Sequence, residues 1–281
     1  MNAAVIIPAH NEAGMIKRTL TTLLDGLSDQ TRVIVSCNGC TDATAEIARS
    51  FGDRVLVHDL PESSKVVALN HAEQDLEEFP RIYLDADVLL SGTDAEKLFD
   101  RLREPGVLTV EPGRRYATDQ CSFLVRAFYK VWVALHCQEA GRIGCGAYCL
   151  SKLGRERFEA FPPIIADDGY VRAHFRPDEI IQVEGTHTLI FPPRTMRGLI
   201  PAKARVRIGC KELAVRYPDL YNENEERSRS LRAKLLGLPP SIWPLLPIYF
   251  LAQFKIRRRV AALAGTAEAM VWTRDDSRPP A

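Results

Sequence analysis

Strand-like and helix-like segments alternate along the first 110 residues, and this alternation limits the fold more than any other feature of the chain. Helical spacing of apolar side chains follows each of four apolar, strand-like runs, which lie at residues 3–7, 31–35, 55–57 and 81–90. We expect Pro8 to end the first strand, because proline has no N–H group to donate to a sheet. Short connections between strands and helices predict an α/β fold, in which a mostly parallel central sheet carries helices on both faces.

Polar residues follow three of the predicted strands at the point where each strand ends. Residues 8–12 follow the first strand, residues 37–42 follow the second, and Asp85 and Asp87 interrupt the fourth. Ligands of parallel sheets bind at the carboxyl ends of the strands. We therefore expect these three segments to meet in one crevice.

The fourth run contains two carboxylates that are separated by a single residue. If the strand continues through them, Asp85 and Asp87 point to the same face. Two like charges on one face are tolerated where a divalent cation or a water-filled cleft takes them up. Alternatively, the strand ends at Leu84 and both aspartates lie in a solvated turn, where Asp is common. The local sequence does not decide between these alternatives.

The charge balance argues against nucleic acid as a partner. The chain has 37 Lys and Arg against 36 Asp and Glu residues, whereas nucleic-acid binding normally needs a strong positive field. No leader pattern precedes the first strand-like run, so we expect a cytoplasmic protein. An odd number of cysteines in such a compartment favours free thiols. A zinc site at Cys37 and Cys40, or near His136, is the less favoured alternative.

The end of the chain is apolar and then basic. Residues 238–254 are rich in Pro, Leu and aromatic residues, and Lys255 and Arg257–Arg259 follow them. Because prolines interrupt a stretch that is shorter than ~20 residues, a membrane-spanning helix is not expected. Residues 238–259 could lie on an anionic membrane surface as an interfacial helix, or could pack on the domain or on a partner subunit.

Four segments, taken together and in this order, resemble glycosyltransferase family 2, whose members transfer sugars from nucleotide-diphospho-sugar donors and have the GT-A fold. They are residues 5–12, 37–42, 64–70 and 83–87. The resemblance continues to Asp167 and Asp168 and is weak over the last hundred residues. It implies a Rossmann-like GT-A domain with a nucleotide-sugar-binding half at 1–110 and an acceptor-side half at 111–210. A helical C-terminal extension at 211–281 would follow.

The resemblance assigns the donor side of the site. Backbone near Pro8 and the side chains of His10 and Glu12 would lie against the nucleoside. Asn38 stands where the family more often has an aspartate that reads uracil, and an amide can also donate to and accept from a pyrimidine edge. Lys65 would supply a cation near the diphosphate. For His10 and Lys65, an ordinary loop histidine and a solvated lysine are the alternatives.

The resemblance also assigns a metal site. Asp87 would ligate Mg2+ or Mn2+ between the two phosphates of the donor, and Asp85 would lie near the ribose or hold the metal through water. His187 would be a further ligand, although a lone histidine is more often structural. The metal would stabilise the negative charge that builds on the departing diphosphate.

On the acceptor side, the resemblance makes Asp168 the general base. Asp168 would take the proton from the acceptor hydroxyl as that oxygen attacks the anomeric carbon with inversion. Asp167 would raise the pKa of Asp168 by like-charge repulsion, and the pair could also cap a helix. Residues 202–206 keep Arg205 but lack the Gln and Trp that mark processive family members, which favours single transfer. Arg205 or Arg197 would contact the diphosphate, or belong to a solvated basic face.

These observations predict a metal-dependent glycosyltransferase that moves one sugar from a uridine diphosphate donor to a hydroxyl acceptor, in cell-envelope or polysaccharide biosynthesis. The acceptor could be a sugar, a lipid-linked molecule or a small molecule. A sugar nucleotidyltransferase is one alternative, but residues 9–14 do not supply its Gly-rich phosphate loop. A non-catalytic scaffold at a membrane is another. A hydrolase is disfavoured because Asp85 and Asp87 are too close in sequence to flank a scissile bond.

Overall fold

The computed structural model describes residues 2–136, 146–220 and 235–263. The strands are β1 (Ala4–Ala9), β2 (Arg32–Asn38), β3 (Leu56–Leu60), β4 (Arg81–Leu84), β5 (Val88–Leu90), β6 (Thr109–Tyr116), β7 (Ala147–Leu150) and β8 (Ile180–Ile190). The helices are α1 (Ile16–Leu24), α2 (Thr44–Arg49), α3 (Lys65–Gln74), α4 (Gly92–Arg103), α5 (Phe123–His136), α6 (Lys152–Arg155), α7 (Asp167–Ala173), α8 (Met196–Arg216) and α9 (Leu246–Leu263). Short 3-10 turns include Pro240–Leu245, just before α9.

The strands form one mixed sheet in the order β3-β2-β1-β4-β7-β6-β8-β5. The first four are parallel, as the alternation predicts, because a helix returns the chain between successive strands. Beyond β4 the sheet is mixed, since β7 runs antiparallel to both β4 and β6. The predicted α/β fold is therefore confirmed, and the parallel arrangement is confined to its first half and to the β6–β8 pair.

Apolar side chains cover both faces of this sheet. On β1, Val5 and Ile7 belong to the core that packs under α1 and α4, whereas Ala4 and Ile6 belong to the core under α3 and α7. Side chains alternate faces along a strand, so a strand covered on both sides reads as an uninterrupted apolar run. The predicted helices on both faces are thus confirmed.

The sequence predicts that the first strand stops before Pro8, but the strand continues to Ala9. Pro8 pairs with Ser36 of β2, while the pairing of β1 with β4 ends at Ile6. The amide of Ala4 points to the β4 side, where it donates to the Pro80 carbonyl. Amides alternate sides along a strand, so the N–H group of residue 8 would also point to the β4 side. Because β4 has already ended at that level, Pro8 lacks an N–H group only where no partner strand is present. No ladder hydrogen bond is lost there.

The fourth strand ends at Leu84, so the two aspartates lie in a turn, as the second alternative states, but both are half-buried rather than fully solvated. The amide of Val88 donates to the Asp85 carbonyl across this turn, at 3.1 Å, and the Asp85 amide donates to the Gly146 carbonyl at 2.8 Å. Asp85 and Asp87 therefore do not share the face of a continuous strand. The turn nevertheless lies at the carboxyl edge of the sheet.

The C-terminal segment forms a separate helical layer. A third apolar cluster, in addition to the two cores on the faces of the sheet, joins α5, α8 and α9. Phe128, Leu199 and Ile256 are among its most buried members. The predicted boundary at residue 210, before the C-terminal extension, falls inside α8. The predicted boundary at residue 110, between the two halves of the GT-A domain, falls inside β6. Among the described helices, none is both long enough and apolar enough to span a bilayer.

The cysteines of the weaker zinc alternatives are only partly within the described residues. Cys37 and Cys40 are free thiols at the end of β2, and Cys149 is a free thiol in the core. Cys137 and Cys145 lie outside the described ranges.

Candidate active site

A small polar pocket lies where β1 and β4 end and where α3 and α7 begin. It encloses about 10 Å³, roughly the room that one water molecule needs. Five residues predicted for the site line it together: Pro8, Lys65, Asp85, Asp167 and Asp168. Segments more than 150 residues apart in the sequence thus meet at one sheet edge. Of the three strand-end segments, two reach this pocket through Pro8 and Asp85, whereas residues 37–42 contact the loop after β1.

Lys65 is the central cation of this pocket. Ser64 caps α3 by accepting a hydrogen bond from the Val67 amide, and this places Lys65 in the first helical turn. Its ammonium lies 2.8 Å from Oδ1 of Asp85 and 3.0 Å from Oδ2 of Asp167. Burial alone would lower the pKa of Lys65, but the two carboxylates outweigh it and hold the pKa above its ordinary value. Lys65 therefore stays charged, and its two ion pairs hold it in the pocket with 22% of its side chain exposed.

Asp167 and Asp168 occupy the first turn of α7. Asp167 is 4% exposed, whereas Asp168 is half-buried and accepts a hydrogen bond from the Gly169 amide at 2.7 Å. Burial, followed by the negative charge of Asp167, raises the pKa of Asp168 to about 6, against the opposing charge of Lys65. The direction agrees with the predicted like-charge repulsion. A carboxyl group of this pKa is ionised at neutral pH and is a stronger base than an ordinary aspartate.

Arg205 is a second cation near these carboxylates. Thr195 caps α8, and Arg205 lies half-buried three turns into that helix. Burial lowers its pKa, while the charges of Asp167 and Asp85 act in the opposite direction. Arg205 is therefore within electrostatic range of Asp167 and Asp85, whereas Arg197 is exposed. The sequence alone did not distinguish Arg205 from Arg197.

Tyr148 is a pocket residue that the sequence did not single out. It lies on β7 with its ring stacked on that of Tyr83, at 4.7 Å between centroids. The Tyr83 hydroxyl donates to Glu73 at 2.5 Å, but the buried Tyr148 hydroxyl has no hydrogen-bond partner among the described residues. Burial, followed by the charge of Asp167, raises the pKa of Tyr148 well above its usual value. The Tyr148 hydroxyl is thus a protonated donor inside the pocket.

The residues predicted to bind the nucleoside lie beside this pocket, in the loop after β1. His10 Nδ1 is 2.6 Å from the Asn38 carbonyl oxygen, and the Glu12 amide donates to the Thr44 hydroxyl at 2.8 Å. Asn38 is fully buried, and its side-chain amide donates to the Ala9 carbonyl at 2.9 Å. The Asn38 amide nitrogen therefore joins the ends of β1 and β2, whereas its Oδ1 is buried with no hydrogen-bond partner among the described residues.

The two predicted metal ligands do not come together. Asp87 is half-buried in the turn after Asp85, but His187 lies on β8, where its ring is 3.4 Å from Asp94 and 3.1 Å from the Arg115 guanidinium. Val88, the residue after Asp87, pairs with Ile190. His187 lies three residues before Ile190 on β8, roughly 10 Å from it at the rise of a strand. The prediction of His187 as a ligand in this site is wrong, because the register places it beside α4.

Another group of possible metal ligands lies away from the pocket. In the described ranges, His58, His71 and Asp75 bring three ligand atoms within 4.8 Å of one another. They join β3 to the end of α3, whereas Lys65 begins that helix. This group is therefore separate from the carboxylates of the pocket.

Comparisons with known proteins identify the fold and match a family model to the first part of the chain. The family model described as "Glycosyl transferase family 2" matches residues 4–138, whereas no curated protein matches the sequence. A mannosyltransferase from Pyrobaculum calidifontis, PcManGT, was solved with GDP-Man and Mn2+; it has a TM-score of 0.59 and 22% identity, over 95% of this chain and 76% of that one. S. aureus TarS 1-349 in complex with UDP-GlcNAc has a TM-score of 0.55 and 14% identity, over 94% of this chain and 84% of that one. The chain thus has the GT-A fold, and its residues 4–138 match the model of glycosyltransferase family 2.

Proposed function

We propose that the chain is a metal-dependent glycosyltransferase that moves a single sugar from a nucleotide-diphosphate donor to a hydroxyl acceptor with inversion. The observation that carries this proposal is the position of Asp168. It is a carboxyl group of raised pKa, next to Asp167 and within the pocket that also holds Lys65 and Asp85. A base, cations for a leaving group and hard oxygen ligands thus lie together, as sugar transfer requires.

The charges of the pocket fit a divalent cation. Three carboxylates, from Asp85, Asp167 and Asp168, face two cations, Lys65 and Arg205. Asp87 in the adjoining turn adds a further negative charge. Carboxylate oxygens are the ligands that Mg2+ and Mn2+ prefer. Asp87, with Asp85 directly or through water, would hold such an ion, which supplies Lewis-acid stabilisation of the charge on the departing diphosphate.

The protein's own side chains account for the remaining steps. Lys65 and Arg205 provide positive charge next to the aspartates, where the diphosphate would lie. The Tyr148 hydroxyl can donate one hydrogen bond to the bound donor. Asp168 takes the proton of the acceptor hydroxyl as that oxygen bonds to the anomeric carbon. The bond from this carbon to the diphosphate oxygen breaks on the opposite side, so the configuration inverts.

For the donor we propose a uridine diphosphate sugar. His10 and Glu12 lie in the loop after Pro8, beside the pocket, and are half-buried, so they can flank a nucleoside. The Asn38 amide nitrogen is occupied within the fold, so Asn38 could contact the base only through Oδ1, and the loop residues would supply the other contacts. A panel that includes uridine and guanosine diphosphate sugars tests this choice.

We also propose that α9 contacts the cytoplasmic face of a membrane. One side of α9 packs on the domain through Tyr249 and Ile256, while Phe250, Leu251 and Phe254 are 43%, 57% and 56% exposed. The cations Lys255 and Arg257–Arg259 follow on the same helix. An apolar strip beside basic residues suits an anionic lipid surface.

The experiment that tests the enzymatic proposal is a donor-turnover assay. The full chain is incubated with a panel of nucleotide sugars, with Mn2+ or with EDTA, and release of nucleoside diphosphate is measured together with sugar transfer to added acceptors. We expect release with at least one donor, only when the metal is present. Equal release with EDTA would contradict metal dependence, and the absence of turnover with every donor would contradict the proposed function.

A further inference from the structure

A second and much larger pocket lies on the acceptor side of the molecule. It has a volume of about 700 Å³, within the range of small-molecule sites. The end of β6, the outer face of α5 and the turn before α9 line it: Arg114, Tyr116, Thr118, Phe123, Arg126, Ala127, Tyr129, Lys130, Val133 and Leu245.

This pocket opens toward the same edge of the sheet as the catalytic pocket. β7 pairs antiparallel with both β4 and β6, so β6 runs in the direction of β4 and its last residues lie at the carboxyl edge. Helix α8 also links the two pockets. Lys203 lies 4.0 Å from the Trp132 ring centroid and 5.2 Å from that of Tyr129, and Arg205, two residues later, acts on Asp167.

The pocket is positively charged on one side. Arg126 and Lys130 are one turn apart on α5 and exposed, and neither forms an ion pair within the described residues. Arg114 is different, because its guanidinium is held by Glu111 at 2.6 Å. Two adjacent cations without a carboxylate partner favour a phosphate group, which they can contact together.

The other side of the pocket is apolar and aromatic. The rings of Tyr116 and Tyr129 lie 5.1 Å apart, and Leu245 approaches from the turn before α9. At the rim, Phe123 is 61% exposed and its neighbour Leu124 is 47% exposed. A free phosphate would leave this apolar wall in water, whereas a phosphate with a hydrocarbon chain would cover it.

We propose that this pocket binds a phosphate-bearing lipid as the acceptor of the transferred sugar. Its phosphate lies between Arg126 and Lys130, and its hydrocarbon chain runs along the apolar wall toward Phe123. The hydroxyl group that reacts belongs to the same acceptor and gives its proton to Asp168, while the donor loses its diphosphate. This assignment of the acceptor rests on the proposed transferase function, but binding of the lipid can be measured without turnover.

Isothermal titration of the full chain with dioctanoyl phosphatidate, below its micellar concentration, tests the proposal. Dioctanoylglycerol and inorganic phosphate serve as separate ligands, because they carry only the apolar or only the anionic part. The pocket variant is Arg126→Gln/Lys130→Gln, and the matched control is Lys17→Gln/Lys152→Gln, which removes two exposed cations outside the pocket. All four positions are exposed, so we expect every variant to fold, and thermal unfolding checks this.

We expect phosphatidate to bind the wild type at least tenfold more tightly than either partial ligand. The pocket variant should lose about tenfold or more in affinity, and the control should stay within about twofold. Unchanged binding by the pocket variant, an equal loss in the control, or inorganic phosphate binding as tightly as the lipid would each overturn the proposal. Lipid binding of the expected pattern, without turnover of any nucleotide sugar, would support this binding site and contradict the proposed transferase function.

Discussion

The ammonium group of Lys65 lies 3.0 Å from Oδ2 of Asp167 and thereby joins the first turn of α3 to the first turn of α7. The two residues are about a hundred positions apart in the sequence. Asp167 is 4% exposed, and a buried carboxylate is tolerated only with a charged or hydrogen-bonding partner. Lys65 therefore has a structural role, holding two halves of the site together, as well as an electrostatic one.

Replacing Lys65 with Met should destabilise the fold. The variant leaves Asp167 buried without its cation, and we expect the free energy of unfolding to fall by ~2–3 kcal/mol. Asp85 adds little to this loss, because its side chain is partly solvated and water can replace the ammonium group. Urea unfolding measures this loss. Lys65→Met/Asp167→Asn should recover part of it. The control is Lys97→Met, whose 55% exposed side chain pairs with Asp94 and whose loss should cost under ~1 kcal/mol. Equal losses at both lysines would contradict a buried ion pair.

Replacing Asp168 with Asn should abolish transfer while donor binding remains. The amide cannot accept the acceptor proton, so we expect kcat to fall by a factor of ~10²–10⁴. Steady-state kinetics and titration with the donor separate the two effects. Asp178→Asn, at an exposed carboxylate outside the pocket, serves as the control and should keep normal turnover. Near-normal kcat for Asp168→Asn would remove it as the base.

The rate of transfer should increase with pH through about 6. Burial and the charge of Asp167 raise the pKa of Asp168 to about 6, and only the ionised carboxylate can act as a base. Protonation below this pH therefore removes activity, and the rate should level off above it. Asp167→Asn removes the like charge, so the acid limb of its kcat profile should move to lower pH. A limb that stays in place would show that Asp167 does not set this pKa.

Two stacked tyrosines should respond differently to loss of their hydroxyl groups. Because the Tyr148 hydroxyl is buried without a hydrogen-bond partner in the described part of the chain, Tyr148→Phe should leave stability unchanged or raise it by up to ~1 kcal/mol, yet lower kcat/KM by about tenfold. Tyr83→Phe removes the hydrogen bond to Glu73 and should cost ~1–2 kcal/mol. Thermal unfolding and kinetics measure both variants. Loss of stability without a kinetic effect in Tyr148→Phe would make its role structural.

The parallel half of the fold could be predicted from the sequence because each of its strands is an apolar run followed by a helix. Pro8 was misplaced because its effect depends on the neighbouring strand, and the sequence does not show where β4 ends. The mixed half was not predictable in detail, since β6, β7 and β8 pair across long separations.

The site was predictable where a side chain follows a strand or begins a helix, as for Asp85, Lys65 and Asp168. The position of such a residue within its strand or helix then determines at which edge of the sheet its side chain lies. Asn38 has the right position, but its buried hydrogen bond to Ala9 shows only in the structure. The prediction of His187 failed because residue type does not reveal strand register. Tyr148 was not singled out, and Arg205 was not distinguished from Arg197, because burial of the tyrosine and orientation of the arginines depend on tertiary packing.

Metal-dependent donor binding tests the central claim most directly. Thermal unfolding of the wild type and of Asp87→Ala is recorded with each nucleotide sugar at saturating concentration, with and without Mn2+. We expect at least one donor to raise the melting temperature of the wild type only when Mn2+ is present, by the equivalent of ~2.7 kcal/mol at a hundredfold excess over Kd. Asp87→Ala should lose this stabilisation. The claim would be contradicted if no donor stabilised the wild type in a metal-dependent manner, or if Asp87→Ala responded as the wild type does.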